Sequence, residues 1–215
     1  MTLNELSRFR PRVRPDPLGE EFTNADALIG HFDFHESSRA GLRLREGASQ
    51  FVVVEAKMLS NLSKGTKNAR AYNQAACNVA CMAEAVAHAG QPIEASGPLG
   101  FFVIAPERSG RRASQRLIDT AVSPASICEA VRTRVRLYRA AGRPESHELE
   151  ARERATLAPM LDQMSAPGAL GVLSWESCIE RVAREDRNCE AELADFYERA
   201  LELATFQPGA PEAAP

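Results

Sequence analysis

The chain has 215 residues, of which 44% are apolar and 26% charged, with a net charge of −3. That length suits one domain with a substantial core, and the composition excludes collagenous and disordered classes. Its apolar runs fall well short of the roughly 18 residues a membrane span needs, and the opening MTLNELSRFRPRVRP lacks the apolar core of a secretory leader, so a cytoplasmic location is expected.

The five cysteines, at 77, 81, 128, 178 and 189, form no CxxC pair, which argues against a zinc ribbon or a disulfide framework. They read as small buried hydrophobes. Charge is unevenly spread. Residues 57–143 carry 13 Lys and Arg against 5 Asp and Glu, and residues 144–205 carry 6 against 14. A local basic face would suffice to bind phosphates even in a globally acidic protein.

Residues 1–18, rich in Arg and Pro, read as a flexible or loosely docked basic arm whose Arg8, Arg10, Arg12 and Arg14 could touch nucleic acid. Residues 19–206 read as a single α/β domain with a helical C-terminal portion, and 207–215 as a disordered tail. ALIGHFDF, 27–34, is apolar and β-prone. The polar stretch 35–50 follows, punctuated by Gly41 and Gly47. FVVVEAKM, 51–58, reads as a buried strand from its β-branched run. After a polar loop, the Ala-rich stretch from Ala69 predicts a helix stopped at Gly90. FFVIA, 101–105, is a short strand stopped by Pro106. Helices are expected over 126–139 and 146–164, with Pro159 kinking or ending the second. LGVLSW, 170–175, reads as a last strand, and 176–206 as one or two amphipathic helices. The order, β–β–α–β–α–α–β–α, implies an α/β fold with a small mixed β-sheet flanked by helices.

Residues i and i+2 of a strand point the same way, so Glu55 and Lys57 share a face. Asp26 stands at the start of the first strand. If 27–34 and 51–57 pair as antiparallel neighbours, Asp26 falls beside Glu55. Two adjacent carboxylates repel, and a divalent cation between them removes that penalty. Mg²⁺ accepts one or two carboxylates together with water and phosphate oxygens. The backbone carbonyl of Ala56 is a third candidate oxygen, and Mn²⁺ is an alternative ion. Lys57 would orient an attacking water or steady charge on a phosphate.

The pattern Asp26 … Glu55-Ala56-Lys57 resembles that of the PD-(D/E)xK, or restriction-endonuclease-like, nuclease superfamily. The resemblance covers roughly residues 20–105, a strand hairpin, a polar loop, a helix and a short strand. Ala25 stands where the motif has proline. The resemblance implies a Mg²⁺-dependent nuclease hydrolysing phosphodiester bonds in DNA, with Asp26 and Glu55 as metal ligands and Lys57 as catalytic lysine. It also implies a role for Gln74, since relatives often carry Gln or Lys on the next helix. Asn78 shares a helix face with Gln74. Ser60, Ser63, Lys64 and Lys67 in the preceding loop, and Arg108, Arg111, Arg112 and Arg116 further on, are candidate contacts to a nucleic-acid backbone.

Other readings remain open. His31, Asp33 and His35 share one strand face and would suit zinc. Glu20 or Glu21 could supply a further metal-binding carboxylate. Trp175 reads as a core residue. The nuclease fold without catalysis would serve as a binding or assembly component, and the acidic helical half is a candidate surface for a homodimer or a partner protein.

Overall fold

The structure, a computed structural model, describes residues 6, 9, 16, 18–20, 23–34, 41–58, 60, 62–65, 69–90, 92–107 and 118–205. Its centre is a four-stranded sheet in the order β1-β4-β5-β6, formed by β1 (Ala27–Gly30), β4 (Phe51–Ala56), β5 (Leu99–Ala105) and β6 (Leu170–Ser174). β1 runs antiparallel to β4, whereas β4, β5 and β6 are parallel. Parallel neighbours require long crossovers. The first is made through α1 (Gln74–Ala89). The second runs through α2 (Pro124–Ala140), α3 (Ser146–Arg152), a π-helical turn (Glu153–Leu157) and α4 (Ala158–Met164). After β6 the chain closes with a helical hairpin, α5 (Trp175–Glu185) and α6 (Arg187–Thr205). No described helix is long and apolar enough to cross a membrane.

Helix α1 is almost wholly buried, packed between the sheet and the α2 and π-turn layer. Its alanines let those layers approach closely. The Asn73 side chain accepts from the Ala76 N–H at 3.0 Å to begin the helix, and Gly90 ends it in the left-handed conformation. Against it the sheet presents alternate residues, Phe51, Val53 and Glu55 from β4 and Leu99, Phe101 and Val103 from β5, paired in register and all buried. One member of this apolar row is therefore a carboxylate.

Several elements differ from the expectation. The predicted strand 27–34 is two strands in two sheets. Gly30, at φ 142°, breaks it, and a Cβ there would lie 2.1 Å from the Gln50 carbonyl oxygen. Beyond the break, β2 (Phe32–Phe34) pairs with β3 (Leu42–Leu44) in a separate antiparallel hairpin. The polar stretch thus contains a strand, with Leu42 and Leu44 buried. Pro159 does not end its helix. The π turn immediately before it widens the backbone and bonds Ala158 N–H to Glu153 O, which makes room where an α-helical proline would clash. Trp175 opens α5 instead of closing β6. The N-terminal segment is also more than a loose arm. Leu6 and Phe9 are buried, and Asp16 pairs with Arg143 at 2.7 Å. Arg8, Arg10, Arg12 and Arg14, and the tail from 206, lie outside the described residues.

Candidate active site

Glu55 occupies the last core-facing position of β4 and is 2% exposed. The β1–β4 register aligns Ala27 with Val54, and one step further sets Asp26 opposite Glu55. Two bonds hold Asp26 there. Its N–H donates to Val54 O at 3.2 Å, and its Oδ2 accepts the Ala56 N–H at 2.7 Å. The antiparallel pairing expected from the sequence therefore brings both carboxylates to one end of the sheet.

Three donors converge on Glu55. Lys57 Nζ donates to Oε1 at 2.6 Å, Gln74 Nε2 donates to Oε1 at 2.5 Å, and Asn78 Nδ2 reaches Oε2 at 3.3 Å. Gln74 stands at the start of α1 and Asn78 one turn on, so both point at the strand end across the sheet–helix interface. Gln74 also anchors the loop before its helix, its Oε1 accepting from the Ser63 N–H at 3.2 Å. Asn78 is fully buried, and its Oδ1 has no hydrogen-bond partner among the described residues.

Burial raises the affinity of the Glu55 carboxyl for its proton above the ordinary glutamate range. Lys57 opposes this by hydrogen bond and charge, and the nearby Asp26 carboxylate reinforces it. The site is a desolvated acid held by one ammonium and two amides, with a second carboxylate repelling it. A divalent cation would relieve that repulsion. Among the described residues no three His, Cys, Asp or Glu side chains gather around a common point. Asp26 and Glu55 are the two carboxylates that could hold such an ion, and Mg²⁺ takes few protein ligands and completes its shell with water and substrate oxygens.

The chain matches no family model, no curated protein and no solved structure. The functional reading therefore rests on the residues themselves.

The remaining candidates fall elsewhere. Asp33 lies in the β2–β3 hairpin and pairs with Arg45 through Nε at 2.9 Å and Nη2 at 2.6 Å, which holds its carboxyl below the usual range. His31 Nδ1 lies 3.2 Å from Ser49 Oγ. His35, Glu21, Lys67, Arg108, Arg111, Arg112 and Arg116 lie outside the described residues. Ser60 and Lys64 are exposed in the loop between β4 and α1, and of Ala56 the structure shows its amide engaged with Asp26. Glu20 is buried and accepts from Thr23 Oγ1 at 3.0 Å and from the Cys77 thiol on α1. That thiol is raised well above its ordinary pKa by its bond to Cys81 and by burial. Cys77 and Cys81 are buried as expected, but Cys128 and Cys178 are half-buried and Cys189 is exposed.

The sequence reading placed Trp175 in the core and gave it no part in the site. It is half-buried, and its indole Nε1–H donates to the backbone carbonyl of Lys57 at 2.9 Å. No local spacing signals a contact between residues so far apart in the chain.

Proposed function

We propose that the protein is a Mg²⁺-dependent nuclease of the PD-(D/E)xK type, hydrolysing phosphodiester bonds in DNA on a restriction-endonuclease-like core. The observation that carries this reading is the meeting of Asp26, Glu55 and Lys57 at the end of β4, with the Glu55 carboxyl buried where a charge is otherwise disfavoured and the Asp26 carboxylate exposed beside it. A buried acid surrounded by donors at the end of a core strand has no packing rationale, because a Leu there would continue the apolar row.

Asp26 and Glu55 would hold the cation, which when bound supplies positive charge toward the phosphate and a more acidic water. The chain's own residues do the rest. Lys57 places an ammonium beside Glu55, where it favours the ionised carboxylate against burial, and it is available to orient the attacking water or to offset charge growing on the phosphate oxygens. Gln74 and Asn78 fix the rotamer of Glu55, so that its oxygens present one geometry. The side chain of Lys57 is only 11% exposed, which limits competing hydration of its charge. Ser60 and Lys64, in the loop leading into α1, would meet the nucleic-acid backbone.

The test is cleavage of linear duplex, circular and single-stranded DNA with and without Mn²⁺, comparing wild type with Lys57→Ala and Glu55→Ala. Metal-dependent cleavage should fall at least about a hundredfold in both variants, with the fold retained. Undiminished cleavage by Lys57→Ala would overturn the assignment of the lysine. No cleavage of any of the three DNAs together with poor Mn²⁺ binding would point instead to a binding or assembly component that keeps the fold.

A further inference from the structure

We propose that Trp175 is a positioning residue for Lys57, and that the C-terminal α5–α6 hairpin is thereby part of the scaffold of the active site. This rests on the nuclease reading for its functional consequence, but not for its geometry. Lys57 is the first residue beyond β4, at the point where the chain leaves the sheet for a loop. Its N–H donates to Ile104 O at 2.7 Å, and its carbonyl accepts from Trp175 Nε1 at 2.9 Å. The peptide groups on both sides of the lysine are held, so its Cα–Cβ bond has one direction toward Glu55. The strand supplies the first restraint and α5 supplies the second.

Trp175 is itself held in place. Ser174 begins α5 by accepting from the Ser177 N–H at 3.0 Å. The Trp175 ring lies 6.4 Å from that of Tyr197 on α6. The Tyr197 hydroxyl donates to Glu176 Oε1 at 2.7 Å, and Glu176 Oε2 accepts the Glu107 N–H, just past β5, at 3.0 Å. The hairpin is thus fastened just beyond the ends of β4 and β5, at the same end of the sheet that carries the two carboxylates. A tryptophan present for packing alone would not need its one polar atom on the carbonyl of the lysine.

The experiment uses Trp175→Phe, which keeps an aromatic ring and removes the donor, and Tyr197→Phe, which releases Glu176. Phe196→Ala, on the exposed side of α6, is the control. Three quantities are read in the full-length chain: the NMR signals and amide exchange of Lys57 in metal-free protein, the affinity for Mn²⁺, and kcat and KM for DNA cleavage. Trp175→Phe should shift the Lys57 carbonyl and Nζ signals and speed exchange of the neighbouring amides by about tenfold. It should lower kcat by between about tenfold and a hundredfold, with KM and Mn²⁺ affinity within about twofold of wild type. Tyr197→Phe should act in the same direction with a smaller effect, and Phe196→Ala should change nothing. Lys57 signals unmoved in both Trp175→Phe and Tyr197→Phe would overturn the proposal, whatever happens to cleavage. Shifted Lys57 signals in a protein that cleaves no DNA would uphold the positioning role and remove the nuclease reading.

Discussion

Gln74 uses both ends of its amide, one on the Glu55 carboxylate and one on the loop that enters its helix. Its replacement therefore has two consequences. Gln74→Ala leaves Glu55 Oε1 to Lys57 alone and removes the acceptor of the Ser63 N–H. Each lost hydrogen bond costs about 1 kcal/mol net, so the Ser63 amide should exchange with solvent roughly fivefold faster, while amides in the middle of α1 keep their protection. Native-state hydrogen exchange measures this, and unchanged protection at Ser63 would show that the loop is held by other means. At this scale the two carboxylates and the lysine were legible, because strand parity and antiparallel register alone bring Asp26, Glu55 and Lys57 together. Gln74 was expected only through the resemblance. Asn78 was recognised as sharing a face with Gln74, but its bond to Glu55 depends on how closely α1 sits on the sheet, and Trp175 depends on a contact across more than half the chain. Neither leaves a local signal.

The break between β1 and β2 shows what an element-level reading misses. ALIGHFDF is β-prone on both sides of Gly30, and its hydropathy pattern alone does not separate the halves. The separation comes from a backbone conformation and a close approach at one glycine. Gly30→Ala would place a methyl 2.1 Å from the Gln50 carbonyl oxygen while forcing φ 142° on an L-residue. It should destabilise the protein by about 2 kcal/mol or more, read as a fall in the urea midpoint. The strain falls at the end of β1 away from Asp26. Relaxing it by slipping the strand one residue would turn Asp26 to the opposite face and, on the proposed reading, remove it from the metal site. Lost metal affinity together with lost stability would indicate a slipped register, and lost stability alone a strained but correctly paired strand. A stability equal to wild type would mean that the chain has another way to turn there. Pro159 teaches the same lesson from the other side. The proline was visible, and the π turn that accommodates it was not, because i→i+5 bonding has no compositional mark.

At the scale of the whole molecule, part of the charge segregated along the chain is paired in space among the described residues. Arg132 and Arg139 of α2 pair with Glu153 and Glu150, both at 3.0 Å, where α2 meets α3 and the π turn. The basic and acidic stretches are thus partners within one protein, and much of the basic character of α2 is spent internally. The N-terminal segment is tied to the same helix. Phe9 packs edge-on to Tyr72 and Tyr138 at 5.1 Å each, Arg134 stacks on the Phe9 ring, and the Tyr138 hydroxyl donates to the carbonyls of Phe9 and Leu18 at 3.3 and 3.1 Å. Tyr138 is 3% exposed, and burial pushes its pKa up to about 12, against a partial opposing pull from Arg134. The sign follows from where the proton is held more tightly. The folded state keeps the phenol protonated beyond the roughly pH 10 at which the unfolded chain loses it. The stability this contributes is fully present below about pH 10 and is lost as pH rises through about 12, on the order of 2–3 kcal/mol across the window. Tyr138→Phe should cost about 1 kcal/mol at neutral pH through the lost hydrogen bonds. It should then decline less steeply than wild type between pH 10 and 12, although Tyr72, also buried and also raised, keeps the decline from vanishing. Urea unfolding at a series of pH values compares the two slopes. Parallel slopes would mean that the N-terminal segment does not shield the phenol, and that its docking on α2 contributes little to the stability of the fold.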